Sequence, residues 1–150
     1  MRTELRQSIC APPEVVFELA SRVEDWPRLL PHYGLVHVLQ SLGNARVVEM
    51  AAHRPVVGSV GIPLRWRAVQ WVDAAERRIT FLHVAGPTRG MFVEWQLTAS
   101  ADGCTEVRLR HTFDPPWPVP NWMIHAVVGE YFVHGVARQT LRTLTQVCVH

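Results

Sequence analysis

Side chains that can exchange protons or hydrogen bonds recur on the inward-facing positions of several predicted strands. In the segment 105–113, Glu106, Arg108 and Arg110 alternate with less polar residues, so His111 is predicted to lie on the inner face. The same alternation places a further set inward: Arg54, Trp66, Gln70, His83 and Trp95, with Met91 on the face of Trp95. A solid core needs none of these hydrogen-bonding groups, whereas a ligand cavity is mostly apolar with a few polar groups. The pattern therefore favours an internal cavity.

Each of these residues also has a purely structural explanation. A single inward histidine is more often a satisfied core group than a functional one. Arg54 directly precedes Pro55, which fits an outward turn at the strand end equally well. Trp66 and Trp95 fit ordinary core packing with one satisfied N–H each. The combination carries more weight than any single member.

Composition and motifs exclude several classes of function. The chain has 150 residues, 48% of them hydrophobic, and a net charge of +2, which is too small to indicate nucleic-acid binding. Neither HExxH, a Gly-rich phosphate loop nor GxSxG occurs, and the eight histidines are scattered, so no metal and no cofactor is expected. No window approaches the roughly 20 apolar residues of a membrane span, so we expect a soluble cytoplasmic protein without an integral membrane segment.

The three cysteines are far apart and odd in number. Cys10, Cys104 and Cys148 form no CxxC pair and no disulfide framework. We therefore expect free thiols in a reducing compartment.

The order of predicted elements indicates an α+β domain that spans residues 1–150. A strand over Arg2–Ile9 precedes two short helices that end near Tyr33, and a long helix is expected from Asn121, as its N-cap, to Val147. Six more strands lie between them, at 35–40, 46–54, 64–72, 78–85, 91–98 and 105–113. Short turns make the sheet antiparallel, and the long helix must bury its apolar stripe against the concave face. This is a helix-grip fold.

The inner stripe of the long helix follows from helical spacing: Trp122, Ala126, Gly129, Val133, Val136, Thr140, Leu144 and Val147. Gly129 and Gly135 lie within this helix, where glycine is unfavourable. Close packing of the helix on the sheet explains them, and so does room for a guest beneath the helix. The sequence leaves both explanations open.

Several motifs resemble the polyketide cyclase/dehydrase group of the START/Bet v 1-like superfamily. They begin with Ala11-Pro12-Pro13-Glu14 and Glu24-Asp25-Trp26-Pro27 followed by Tyr33, and continue through His53-Arg54-Pro55 and Gly86-Pro87 to Met91, Trp95, Thr105-Glu106-Val107 and Phe113-Asp114. The resemblance implies a curved sheet around a hydrophobic cavity. It is most similar to the aromatase/cyclases of bacterial aromatic polyketide synthesis.

The resemblance also implies roles for particular residues. Family cyclases carry an inward arginine where this chain has Gln70, an interior basic position matches His83, and Tyr33 matches a tyrosine at the cavity mouth. Aldol cyclisation and dehydration need a base and a donor that stabilises the enolate. His83 is the first candidate base, with His111 as the alternative, and Arg54 or Tyr33 is the candidate donor. The predicted ligand-binding set is Trp66, Gln70, Met91, Trp95, His111 and Trp122.

Three functions remain open at this stage. The first is a cyclase/aromatase that acts on a poly-β-keto intermediate, with an acyl carrier protein as a possible partner. The second is a non-catalytic carrier or sensor of a lipid, quinone or polyketide in the same cavity. The third is a protein-interaction module. Gln70 in place of the family arginine is the feature that separates the first from the second.

Overall fold

The computed structural model describes residues 1–53, 64–115 and 118–149 of the chain. Seven strands form one antiparallel sheet in the order β1-β7-β6-β5-β4-β3-β2. The strands are β1 (Arg2–Ile9), β2 (Tyr33–Leu42), β3 (Ala45–Ala52), β4 (Leu64–Asp73), β5 (Arg78–Ala85), β6 (Phe92–Ala99) and β7 (Thr105–Thr112). Two short helices, α1 (Pro13–Ser21) and α2 (Trp26–Leu29), follow β1, joined by a 3₁₀ turn at Val23–Asp25. The predicted helix-grip fold is confirmed.

The two faces of the sheet differ as the alternation predicts. On β4, Leu64, Trp66 and Ala68 are buried while Arg65 and Arg67 are exposed. On the outer face charged residues of neighbouring strands pair, and because the arginines of these pairs lie in solvent each pair contributes little to stability. The apolar inner face therefore provides most of the stabilisation, and a helix must cover it.

That cover is the C-terminal helix, which consists of three consecutive parts. They are α3 (Asn121–Met123), a π-helical segment (Ile124–Ala137) and α4 (Arg138–Val149). The helix starts where predicted, but Pro120 is its N-cap and no side chain caps it, so the predicted N-cap role of Asn121 is wrong. Proline before the helix already restricts the chain to the extended entry conformation that a cap residue adopts.

The predicted inner stripe is correct from Gly129 to Leu144 and fails near the start of the helix. Val136, Thr140 and Leu144 are buried, whereas Ala126 is exposed and Trp122 is 69% exposed. Trp122 and Ala126 precede the buried stretch of the helix, which begins near Val128. Hydrogen bonds from i to i+5 put more residues in each turn of the π segment than the 3.6 of an α-helix, and its buried side also includes Val128, Phe132 and Ala137.

Gly129 lies in the π segment without being forced there by close packing. A Cβ built on it would meet one atom, the Met1 Sδ, at an ordinary 3.8 Å. Close approach of helix and sheet therefore does not require glycine at this position.

Cys10 and Cys104 form a disulfide, so the prediction of free thiols is wrong for these two residues. Ile9 and Thr105 are register partners on β1 and β7, and the cysteines are the next residues outward from that pair. Sheet pairing thus makes neighbours of residues 94 positions apart in the chain, which their spacing does not reveal. Cys148 is a free thiol, as predicted.

This disulfide should contribute strongly to stability, because it closes a long loop in the unfolded chain. Reduction, or the double substitution Cys10→Ser/Cys104→Ser, is expected to lower the free energy of unfolding by about 3–5 kcal/mol. Urea denaturation with and without reductant measures it. Cys148→Ser is the control and should change little, and equal urea midpoints for the oxidised and reduced protein would contradict the prediction.

The turn between β5 and β6 requires glycine at position 86. Gly86 has φ +104°, and a Cβ there would lie 2.6 Å from the backbone oxygen of Arg65 on β4. Within the turn the Met91 N–H donates to the Thr88 carbonyl (2.9 Å), and the Gly90 N–H donates to the His83 carbonyl (2.8 Å). The tight turn thus folds Thr88 back toward His83.

Alanine substitutions at two glycines separate this steric clash from the cost of positive φ. Gly43 also has a positive φ (+62°), but a Cβ there would meet nothing within 4 Å. We expect Gly86→Ala to cost about 3 kcal/mol of unfolding free energy and Gly43→Ala about 1 kcal/mol. Thermal or urea unfolding of both variants measures the difference, and equal costs would show that the turn relaxes away from β4.

Candidate functional site

A small cavity lies between the concave face of the sheet and the C-terminal helix. Its walls are mostly aromatic and apolar, with His83, His111 and Thr140 as polar members and Trp26, Tyr33, Trp66, Phe81, Trp95 and Phe132 as aromatic ones. Its volume is about 30 Å³, which is room for about one water molecule. Pockets for drug-sized ligands measure roughly 300–1,000 Å³, so in this conformation the cavity cannot hold a polyketide.

His83 is buried on β5 and held on two sides. Its Nδ1 is 2.6 Å from the Thr88 hydroxyl, and its ring stacks on that of Trp66 with centroids 5.6 Å apart and planes 3° apart. Burial, and to a lesser extent the nearby His111, lower the pKa of His83 to about 3. The imidazole is therefore neutral at physiological pH.

His111 on β7 is 1% exposed and lines the cavity on the side of the sheet. Its Nδ1 has no hydrogen-bond partner among the described residues. Burial lowers its pKa to about 3. An unpartnered buried ring nitrogen is costly, and a polar group of a guest beside it would remove that cost.

A second polar cluster joins the C-terminal helix to the start of β2. The Thr140 hydroxyl donates to the Val136 carbonyl (2.8 Å), so its oxygen accepts from the Tyr33 hydroxyl (3.0 Å) and from His32 Nε2 (2.9 Å). His32 therefore carries its proton on Nε2, and its Nδ1 has no partner among the described residues. Burial lowers the pKa of His32 to about 4 and raises that of Tyr33.

Gln70 faces inward but lies outside the cavity lining, which corrects the prediction. Its amide oxygen accepts from Arg46 Nε (3.0 Å) and Nη2 (2.7 Å), and its Nε2 donates to the Ser21 carbonyl (2.9 Å). Arg46 also contacts Glu24. Gln70 thus ties β3 and β4 to the end of α1. Alternation assigned its face correctly but not its position along the strand.

The remaining sequence candidates divide into three groups. Tyr33, Trp66, His83, Trp95 and His111 line the cavity together. Met91 is fully buried but does not line it, and Trp122 is on the surface, because the helix begins beyond the buried stretch. Arg54 lies outside the described residues.

The sequence analysis missed three residues of the site. His32 and Thr140 form the polar cluster with Tyr33, and Phe132 packs against the histidines. Thr140 had a detectable signal, since a hydroxyl on the apolar stripe of a helix needs an acceptor inside the protein. Phe132 also had a signal, since it lies three residues after Gly129 and four before Val136, but the predicted stripe passed through Val133 instead.

A comparison with protein families identifies the chain. The model of the family described as polyketide cyclase/dehydrase and lipid transport matches residues 9–140. The chain belongs to this family. Among the described residues no group of three or more potential metal ligands occurs, and none of the described helices is both long and apolar enough to cross a membrane.

Two curated relatives of the chain come from Streptomyces. The chain is 30% identical over 114 residues, 75% of its length, to the granaticin polyketide synthase bifunctional cyclase/dehydratase of Streptomyces violaceoruber, and spans 34% of that protein. It is 26% identical over 67% of its length to a putative polyketide cyclase of Streptomyces halstedii, 91% of which it covers. The chain thus spans about a third of the first relative and most of the second.

Solved structures share the fold of this family member. The Zhui aromatase/cyclase of Streptomyces sp. R1128 superposes with a TM-score of 0.78 at 20% identity, over 99% of this chain and 93% of that one. A START superfamily protein of Mycobacterium smegmatis gives a TM-score of 0.74 at 15% identity, over 97% of this chain and 98% of that one. Identities this low show a common fold.

The buried histidines should make stability fall in mild acid. Their folded pKa values, about 3 for His83 and His111, lie below the value near 6.5 in the unfolded chain. The unfolded state therefore binds more protons, and stability present above pH 6.5 is lost as pH falls. The expected slope between pH 6 and 5 is about 1 kcal/mol per pH unit for each histidine.

Urea midpoints from pH 7.5 to 5 measure this slope. In His111→Phe the slope should fall by about 1 kcal/mol per pH unit, the contribution of one histidine. The surface variant His37→Gln should keep the slope of the unmodified protein. An unchanged slope in His111→Phe would show that His111 titrates normally in the folded protein.

Proposed function

We propose that this domain is a polyketide cyclase/dehydratase that closes a ring in a poly-β-keto chain. The observation that supports this best is the pair of neutral imidazoles, His83 and His111, which share an aromatic-walled cavity with the Tyr33 hydroxyl. A poly-β-keto chain alternates methylene groups with carbonyl acceptors along its length. Aromatic walls with few polar groups suit such a guest.

In the proposed reaction His83 is the base. Its imidazole removes a proton from a carbon between two carbonyls, and the resulting enolate carbon attacks a ketone further along the chain. The new alkoxide takes up the proton from the His83 imidazolium, becomes a hydroxyl group and leaves the imidazole neutral again. Loss of a second α-proton with that hydroxyl then releases water and leaves a double bond in the ring.

Thr88 suits the role of a positioning residue for His83. If the Nδ1–H donates to the Thr88 hydroxyl, the lone pair of Nε2 is left to accept the proton. A base with a pKa of about 3 is weak in the empty cavity. The negative charge of an enolate formed beside it favours the imidazolium and raises that pKa during the reaction.

Tyr33 is the proposed donor to the developing oxyanion. Burial raises its pKa, so it keeps its proton at neutral pH, as a hydrogen-bond donor must. In the empty cavity its hydroxyl donates to Thr140. A substrate oxygen would have to replace Thr140 as its acceptor. Arg54 remains the alternative donor on the family resemblance.

An acyl carrier protein is the partner class we propose for substrate delivery. A reactive poly-β-keto chain is carried as a thioester, and the granaticin relative is named as part of a polyketide synthase. The substrate would then enter while still tethered.

A non-catalytic carrier is the second candidate, and one observation favours it. The family arginine is replaced by Gln70, whose side chain is engaged with Arg46 and Ser21 outside the cavity. The described cavity therefore lacks a guanidinium at that place. A carrier needs the aromatic walls but neither base nor donor.

Replacing the proposed base separates the two functions. His83→Gln keeps a hydrogen-bonding side chain and removes the titratable group, so turnover of a poly-β-keto mimic should fall about 10²–10⁴-fold with little change in its affinity. Product formation and binding are measured in parallel. His37→Gln, on the exposed surface, is the matched control and should behave as the unmodified protein does. Binding without turnover in the unmodified protein would support the carrier.

A further inference from the structure

Phe132 fills the part of the interior that the two histidines face. Its ring centroid lies 5.0 Å from that of Trp66, 5.4 Å from His83 and 5.8 Å from His111, and its plane is within 15° of perpendicular to all three. Trp66 and His83 are stacked in parallel planes, and Phe132 stands nearly at right angles to both. An isolated six-membered aromatic ring would find the same contacts favourable.

Without this ring the cavity would reach the size of a small aromatic molecule. The existing space is about 30 Å³, and the phenyl ring occupies the volume next to it. An apolar cavity of about 150 Å³ is enough to bind benzene in another protein. Loss of the Phe132 ring would bring this cavity to about that size.

We infer that Phe132 is an internal plug that occupies the place of the guest's ring, and that the guest ring carries an oxygen next to His111. The ring contacts of Phe132 define a slot for a planar six-membered ring. The ring of His111 packs against Phe132, and its unpartnered Nδ1 can pair with a phenol or an enolised ketone, which can donate or accept. This inference rests on the proposed function, because an oxygenated ring is what cyclisation of a poly-β-keto chain produces.

The segment that carries Phe132 has a way to withdraw it. Phe132 lies in the π segment, six residues before α4 begins at Arg138. π-helices are rare and usually extend over a single turn, so a 14-residue segment has a nearby α-helical alternative. Each α-helical residue turns further about the axis, so rewinding with α4 fixed would rotate Phe132 by on the order of 100°. Gly129 offers no packing obstacle, since an added Cβ there meets one atom at 3.8 Å.

An ordinary core phenylalanine is the competing explanation, and it makes a different prediction. Truncation of a core residue destabilises the protein and leaves a cavity that does not distinguish phenol from toluene beyond their solubilities. If Phe132 is a plug, its truncation instead opens a ligand site in which His111 can distinguish phenol from toluene. Phenol and toluene match in size and differ in one hydroxyl, so their relative affinity reports the His111 contact.

The test measures the binding of phenol and toluene to Phe132→Ala by titration calorimetry, with Leu144→Ala as the control. Leu144 is fully buried on α4 and does not line the cavity. Phe132→Ala should bind phenol at least about tenfold more tightly than the unmodified protein does. Its ratio of phenol to toluene affinity should exceed that of Leu144→Ala by about 3- to 10-fold, the value of one hydrogen bond.

Three results would overturn the inference. The first is equal phenol affinity in Phe132→Ala and the unmodified protein. The second is an equal ratio of phenol to toluene affinity in Phe132→Ala and Leu144→Ala. The third is unchanged phenol affinity when the bulky substitution His111→Phe is added to Phe132→Ala. If Phe132→Ala does not fold, Phe132→Leu replaces it, with an expected gain of about threefold. This test measures binding alone, so it is independent of the turnover assay. A gain in phenol binding in Phe132→Ala together with no turnover in the unmodified protein would refute the proposed chemistry and support the plug. Turnover without any gain in phenol binding would support the chemistry and refute the plug.

Discussion

Burial of one long helix against the concave face of a single sheet is the constraint on which the rest of this structure depends. The sheet has a charged outer face and an apolar inner one, and the helix is its inner cover. Thr140 secures the helix at the point where β2 begins, since its hydroxyl receives hydrogen bonds from Tyr33 and His32. A polar tie inside an apolar interface fixes the helix in one position along the sheet.

The polar groups enclosed by this packing stay neutral, and that decides what the site can do. Imidazoles with pKa values near 3 are uncharged, so they can lie among aromatic rings without a counter-ion. The same burial makes them weak bases in the closed state. The proposed reaction needs a guest that enlarges the cavity and develops negative charge beside the imidazole as it loses its proton. It therefore requires a cavity wider than the one in this structure.

Local patterns were enough to predict the architecture and much of the cavity wall. Alternation assigns each side chain to one face of the sheet. The solvent-exposed face can be recognised where arginine and glutamate recur at every second position. Trp66, His83, Trp95 and His111 were found in this way. Where a residue lies along a strand is a different question. Gln70 has the right face but lies beneath α1, where Arg46 and Ser21 engage it.

The sequence by itself determined the order of the strands, their inner and outer faces and the family, because these depend on short-range periodicity and on motifs. Tertiary structure alone decided the pairing of Cys10 with Cys104, since strand register joins residues distant in the chain. It also decided that Trp122 is exposed and Phe132 buried, because only the packing of the helix on the sheet shows where the buried stretch begins and how wide it is.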